Sequence, residues 1–138
     1  MTNVDQLSVK IFADGADLAG MVEMYGKPYI KGFTTNPTLM RKAGVDDYEK
    51  FGRTIVQAIP DRPISLEVFA DELDEMEQQA MVLASFGKNV NVKIPVTNTK
   101  GEPTDSIIRR LSQRGVVLNV TAILTLEQVR RVAAIARV

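Results

Sequence analysis

The chain has 138 residues, 45% of them apolar, and its 17 basic and 17 acidic side chains cancel. That suits one globular domain with a sizeable core, and zero net charge argues against a nucleic-acid or anionic-membrane partner. Cysteine and histidine are both absent, which excludes disulfides, thiolate zinc sites and imidazole chemistry and leaves catalysis to carboxylates, lysine, hydroxyls and amides.

Val9-Lys10-Ile11-Phe12-Ala13 reads as a first strand, rich in β-branched and aromatic residues. Asp17 suits an N-cap for a helix carrying Leu18, Met21, Val22 and Tyr25, stopped at Gly26. A second strand, Tyr29 to Thr34, runs into Asn36-Pro37, where asparagine caps and proline occupies the first helical position; Gly44 ends that helix. Asp46 opens the next helix, with Tyr48, Phe51, Ile55 and Ala58 as its apolar face. Pro60 and Pro63 bracket a turn before the third strand, Ile64 to Phe69. Asp71 caps a helix whose buried stripe is Leu73, Met76, Ala80 and Leu83, with Gly87 as its end. The fourth strand is Val90 to Ile94. A loop from Pro95 to Pro103 follows, then a helix with Ile107, Ile108 and Leu111 that Gly115 closes. The fifth strand, Val116 to Ala122, leads to a capping box of Thr125 with Gln128. A last helix runs through Val129, Val132, Ala133 and Ala136.

Strict strand–helix alternation predicts an α/β domain, residues 1–138, with a parallel sheet covered by helices. Met1 to Ser8 is polar, and no run approaches the ~20 apolar residues of a membrane span, so a cytoplasmic protein without a membrane partner is expected. Alternation within strands then sorts the side chains. Val9, Ile11, Ala13, Ile64, Leu66, Val68, Val90, Val92, Ile94, Leu118 and Val120 face the helices, and Lys10 faces away from them. Phe12, Asp14, Ser65, Glu67, Asn91, Lys93, Asn119 and Thr121 face the other way, near the strand ends where α/β sheets hold their sites.

Each polar residue also has an ordinary explanation. Lysine near a strand end commonly snorkels to the surface, Asp14 suits a turn, Asn36 explains itself as a cap, and Asn119 and Thr121 can bond backbone. Their convergence on one interior favours function, because an inward lysine beside inward carboxylates is costly unless paired. Met21, Met24 and Tyr25 read as core filling. Arg109-Arg110 and Arg130-Arg131 read as solvated faces, and Ala13-Asp14-Gly15-Ala16 is no glycine-rich phosphate loop.

Ile11-Phe12-Ala13-Asp14-Gly15-Ala16-Asp17 resembles the first-strand motif of transaldolases and the related fructose-6-phosphate aldolases. Gly32-Phe33-Thr34-Thr35-Asn36-Pro37-Thr38 is similar to their second-strand signature, the most specific of these motifs. Val92-Lys93-Ile94-Pro95 resembles the Schiff-base lysine strand, and Leu118-Asn119-Val120-Thr121 the fifth strand. The resemblance implies the first five strand–helix units of a TIM barrel, and a place in carbohydrate metabolism, in the pentose phosphate pathway. Lys93 would form an imine with a keto-sugar phosphate. Asp14 would move protons during carbon–carbon cleavage and formation. Glu67 with Thr121 would hold the catalytic water, and Thr34, Asn36 and Asn119 would contact substrate. Glutamate at position 67 leans to transaldolase, where the aldolases carry glutamine. No metal and no organic cofactor are implied.

A full barrel has eight strands in about 250 residues, whereas the fifth unit here closes at Val138. The family's phosphate-binding serine and arginine lie in its sixth and seventh units. Two open edges and an uncovered interior are expected, hence self-association into a homo-oligomer and weak or absent turnover. Aldolase-type cleavage and a non-catalytic oligomerising fragment stand as alternatives. A third is a flavodoxin-like receiver domain, which needs an aspartate where this chain has Glu67-Val68-Phe69-Ala70 and a lysine after its fifth strand.

Overall fold

The computed structural model of the chain describes residues 3–136. Five strands form one sheet: β1 (Ile11–Asp14), β2 (Ile30–Thr34), β3 (Ile64–Glu67), β4 (Val90–Pro95) and β5 (Leu118–Thr121). Six helices connect or follow them: α1 (Leu18–Tyr25), α2 (Pro37–Lys42), α3 (Tyr48–Ala58), α4 (Leu73–Ala84), α5 (Asp105–Gln113) and α6 (Leu126–Ala133). Every neighbouring pair of strands is parallel and the order is β1-β2-β3-β4-β5. A receiver would place β1 between β2 and β3, so the sequential order sets that alternative aside. The architecture is that of the first five strand–helix units of a TIM barrel, with β1 and β5 as its edges.

The core lies between the sheet and the helices. Phe33, Ile64, Leu66, Val92 and Ile94 meet Ile55, Met76, Ile107, Ile108 and Leu111, all fully or almost fully buried. Burying each of the larger of these side chains is worth about 1.5–3 kcal/mol. Strand alternation accounts for most of this sorting, with one irregularity. The β1–β2 register runs Ile11↔Ile30 and then Phe12↔Gly32, so Lys31 is an extra residue at a bulge. In a regular strand Ile30 and Phe33, three residues apart, would point to opposite faces; with the bulge between them both are buried. Gly32 faces Phe12 so closely that a Cβ there would lie 2.5 Å from the ring.

Side-chain caps fix the helix starts. Asp17 accepts from the Gly20 amide (2.8 Å), Asn36 from Leu39 (2.9 Å), and Thr125 with Gln128 forms the expected capping box. Gly44 and Gly115 adopt positive φ values of 72° and 80° beyond their helices.

Several expected boundaries and faces need correction. Asp47, not Asp46, caps α3 by accepting from Lys50 (2.9 Å). In α3 Ala58 is exposed, and Gly52, Val56 and Ile59 join Ile55 inside. Glu72 occupies the N-cap of α4; Asp71 instead reaches the β4–α5 loop, accepting from the Thr99 amide (2.8 Å) and hydroxyl (2.6 Å). The α4 helix ends before Ser85, so Gly87 is not its stop. In α6 Val132 is buried, whereas Val129 and Ala133 are exposed. The strand β1 starts later than expected, leaving Val9 66% exposed; β3 stops at Glu67, and β5 excludes Val116, Val117 and Ala122. Among the described residues no helix is long and apolar enough to cross a membrane.

Candidate active site

Register pairing assembles the interior residues in rows. Asp14, Thr34 and Ser65 are successive partners across β1, β2 and β3, and Ser65 continues to Asn91. One step toward the strand C-termini, Glu67, Lys93 and Asn119 are partners across β3, β4 and β5. Thr34 apart, these are residues that alternation assigns to the interior.

Lys93 is the centre of the second row. Its Nζ lies 3.5 Å from Glu67 Oε2 and donates to the Thr35 carbonyl at 3.0 Å. The two side chains are only 12% and 21% exposed, so the ordinary reading of Lys93 as a snorkelling surface residue does not describe it. Screening by water is weak at such a position, and each charge depends on the other for compensation.

Asp14 is reached through β2. The Thr34 hydroxyl donates to Asp14 Oδ1 at 2.7 Å, while the carbonyl of the next residue, Thr35, accepts from Lys93. Adjacent residues of one segment therefore touch both the carboxylate and the amine. Asn36 fulfils its capping role, which commits its carbonyl oxygen to the Leu39 amide. Asn119 Nδ2 donates to Ser65 Oγ at 3.3 Å. Thr121 closes β5 as the partner of Pro95, with β4 between it and Glu67. A cavity of about 400 Å³ borders this interior, with Phe12, Ser65, Asn91 and Asn119 on its wall; Lys93 and Glu67 are not part of its lining.

Sequence reasoning missed three features here. Ala122, immediately after Thr121, has φ 58°, a left-handed conformation that costs a non-glycine residue roughly 1–2 kcal/mol. The Thr35 hydroxyl is buried without a hydrogen-bond partner among the described residues. Tyr48 sends its phenol from α3 to the Glu67 backbone carbonyl at 2.6 Å. Burial pushes that phenol far above its usual pKa, so it remains a protonated donor at any physiological pH.

The loop following β4 is fastened beside the site. Besides the Asp71–Thr99 bonds, Lys100 pairs with Glu72. Asn98 ties the loop to itself, accepting from the Lys100 (3.1 Å) and Glu102 (2.9 Å) amides. Among the described residues no group of three or more acidic, histidine or cysteine side chains is arranged to hold a metal ion.

The model of the family described as transaldolase/fructose-6-phosphate aldolase matches residues 11–137. The chain belongs to this family. A probable transaldolase of Dehalococcoides mccartyi is 35% identical over 120 residues, which cover 87% of this chain and 54% of that protein. One from Caldicellulosiruptor saccharolyticus is 38% identical over 120 residues, covering 87% and 52%. The chain thus spans about half the length of the curated family relatives it matches. Among solved structures, dihydrodipicolinate synthase from Rhodopseudomonas palustris aligns with a TM-score of 0.62 over 92% of this chain and 50% of its own. At 14% identity that likeness concerns the fold alone.

Proposed function

We propose that the chain carries the imine-forming half of a transaldolase site, transferring a three-carbon ketol unit between sugar phosphates through Lys93. The observation that carries this reading is the secluded Lys93–Glu67 pair, 3.5 Å apart, on the strands where the family resemblance places lysine and glutamate. The Lys93 nitrogen adds to the ketose carbonyl, and loss of water gives a protonated imine. That imine is an electron sink. Asp14 takes the proton from the hydroxyl beside the scissile bond, and the bond's electron pair moves into an enamine as the aldehyde leaves. The enamine then attacks an acceptor aldehyde, and hydrolysis frees the lysine.

Glu67 and Thr121, on the strands either side of β4, together hold a water that relays protons to and from the imine. Thr34 orients Asp14, and Asn36 and Asn119 supply amide groups for substrate hydroxyls. The mechanism calls on no metal or organic cofactor. The glutamate at position 67 favours transfer over simple fructose-6-phosphate cleavage. The reading also takes the protein as cytoplasmic and as a homo-oligomer.

Incubation with fructose 6-phosphate, with and without an aldose-phosphate acceptor, tests the reaction type. Acceptor-dependent ketose product supports transfer; free triose phosphate without an acceptor supports cleavage. Neither product, from a chain that forms higher assemblies by light scattering, supports the non-catalytic alternative.

A further inference from the structure

We infer that Tyr48, seconded by Gln79, is a positioning residue for Glu67. The backbone that carries Glu67 leaves its sheet at this residue. Val68 makes the last β3–β4 bond, its amide donating to the Lys93 carbonyl at 3.2 Å. On the other side, the amides of Phe33 and Thr35 donate to the carbonyls of Pro63 and Ser65. Continued by one step, this ladder would offer the Glu67 carbonyl the amide of residue 37, but residue 37 is proline and has no N–H.

Two side chains from the helical layer take over. The Tyr48 phenol donates to the Glu67 carbonyl at 2.6 Å, and Gln79 Oε1 accepts from the Phe69 (2.7 Å) and Ala70 (2.9 Å) amides. The Phe69 ring packs edge-on against Tyr48 at 4.3 Å between centroids, fixing the phenol's direction. Three consecutive peptide groups at the end of β3 are thereby tied to α3 and α4. The carboxylate they carry is held at its distance from Lys93. A carboxylate on an untethered strand end would swing through several rotamers, and its coupling to the amine would fall with distance.

This inference rests on the Lys93–Glu67 pair being central to the reaction, yet its test needs no sugar. The rate at which Lys93 is acylated by a small reagent at one fixed pH, read by peptide mapping against exposed Lys88, reports how firmly the amine is engaged by its partners. The charged group beside the amine is Glu67 on β3; the Asp14 carboxylate on β1 is exposed and accepts from Thr34. Glu67→Gln removes the carboxylate that engages the amine and raises Lys93 labelling, by roughly tenfold. Tyr48→Phe keeps the ring and its contact with Phe69 while deleting the donor, and raises labelling by about threefold, a part of the Glu67→Gln effect. Gln79→Leu acts in the same direction. Tyr48→Phe in the Glu67→Gln background adds nothing further.

A Tyr48 variant that folds by circular dichroism yet labels like the parent overturns the inference. So does an equal rise in the Glu67→Gln background, which would make Tyr48 independent of Glu67, and so does Glu67→Gln leaving labelling unchanged. If Tyr48→Phe does not fold, Gln79→Leu decides alone, by the same two outcomes. Failure of the parent chain to form a ketose adduct sinks the proposed reaction and leaves these labelling results standing.

Discussion

Lys93 and Glu67 are register partners on β4 and β3, with Nζ 3.5 Å from Oε2 and both side chains largely withdrawn from water. Parallel pairing places the two residues opposite one another, and strand alternation turns both to the interior. The Thr35 carbonyl adds a second contact to the amine at 3.0 Å. A lysine in this setting is held by an ion pair with one carboxylate and a hydrogen bond to one carbonyl, and it is the group on which the proposed chemistry depends.

Thr34→Val tests the link to Asp14. The substitution keeps the branched shape and deletes the hydroxyl that donates to Asp14 Oδ1 at 2.7 Å. Asp14 is exposed, so thermal stability should change by no more than about 0.5 kcal/mol. Ketose turnover should slow by roughly tenfold, less than the 10²–10⁴ that a whole general acid–base group supplies. Equal rates in variant and parent would detach Thr34 from catalysis.

Glu77 gives a pH prediction. The Arg110 guanidinium donates to it from Nε (2.9 Å) and Nη2 (2.6 Å), which holds the Glu77 carboxyl below its ordinary range, with burial opposing and Arg114 assisting from 3.6 Å. A pKa lower in the folded than in the unfolded chain stabilises fully above the unfolded value of about 4.3, and that stability is lost as pH falls through the folded value. The gap in urea midpoint between the parent and Glu77→Gln should therefore be widest near neutrality and close as the solution is acidified. A gap that widens in acid would reverse the sign of this account.

Gly87→Ala probes the seam between α3 and β4. A Cβ there would come 2.5 Å from Val56 Cγ1 and 2.9 Å from Asn89 Oδ1. Asn89 is not free to yield, because its amide nitrogen donates to the Ile59 (2.7 Å) and Arg62 (2.9 Å) carbonyls. A loss of about 1–3 kcal/mol, typical of overpacking, should appear in chemical denaturation. No loss would mean that this seam relaxes freely.

The sequence displayed the parts of this fold that local chemistry dictates. Lys93 and Glu67 could be assigned to the interior because Val92, Ile94, Leu66 and Val68 so clearly claim the other face. Asp17, Asn36 and Thr125 were legible as caps because each precedes a helical run that it alone can cap. Asp46-Asp47 and Asp71-Glu72 were not, since neighbouring acidic residues offer equivalent caps. At the second pair, the choice is made by Thr99, 28 residues away. The bulge at Lys31 was hidden, because an extra residue leaves no mark on composition and shows only when Ile30 and Phe33 prove to share a face. Tyr48 looked like one more apolar-face aromatic; its phenol finds a backbone carbonyl 19 residues on, which no periodicity reveals.

The most direct test of the central claim is borohydride reduction of the chain in the presence of fructose 6-phosphate, read by intact mass and peptide mapping. A reduced three-carbon adduct on Lys93, absent from Lys93→Met, is the predicted result. An adduct on another lysine, or none on a chain folded by circular dichroism, would contradict the assignment of Lys93 as the imine-forming amine of this chain.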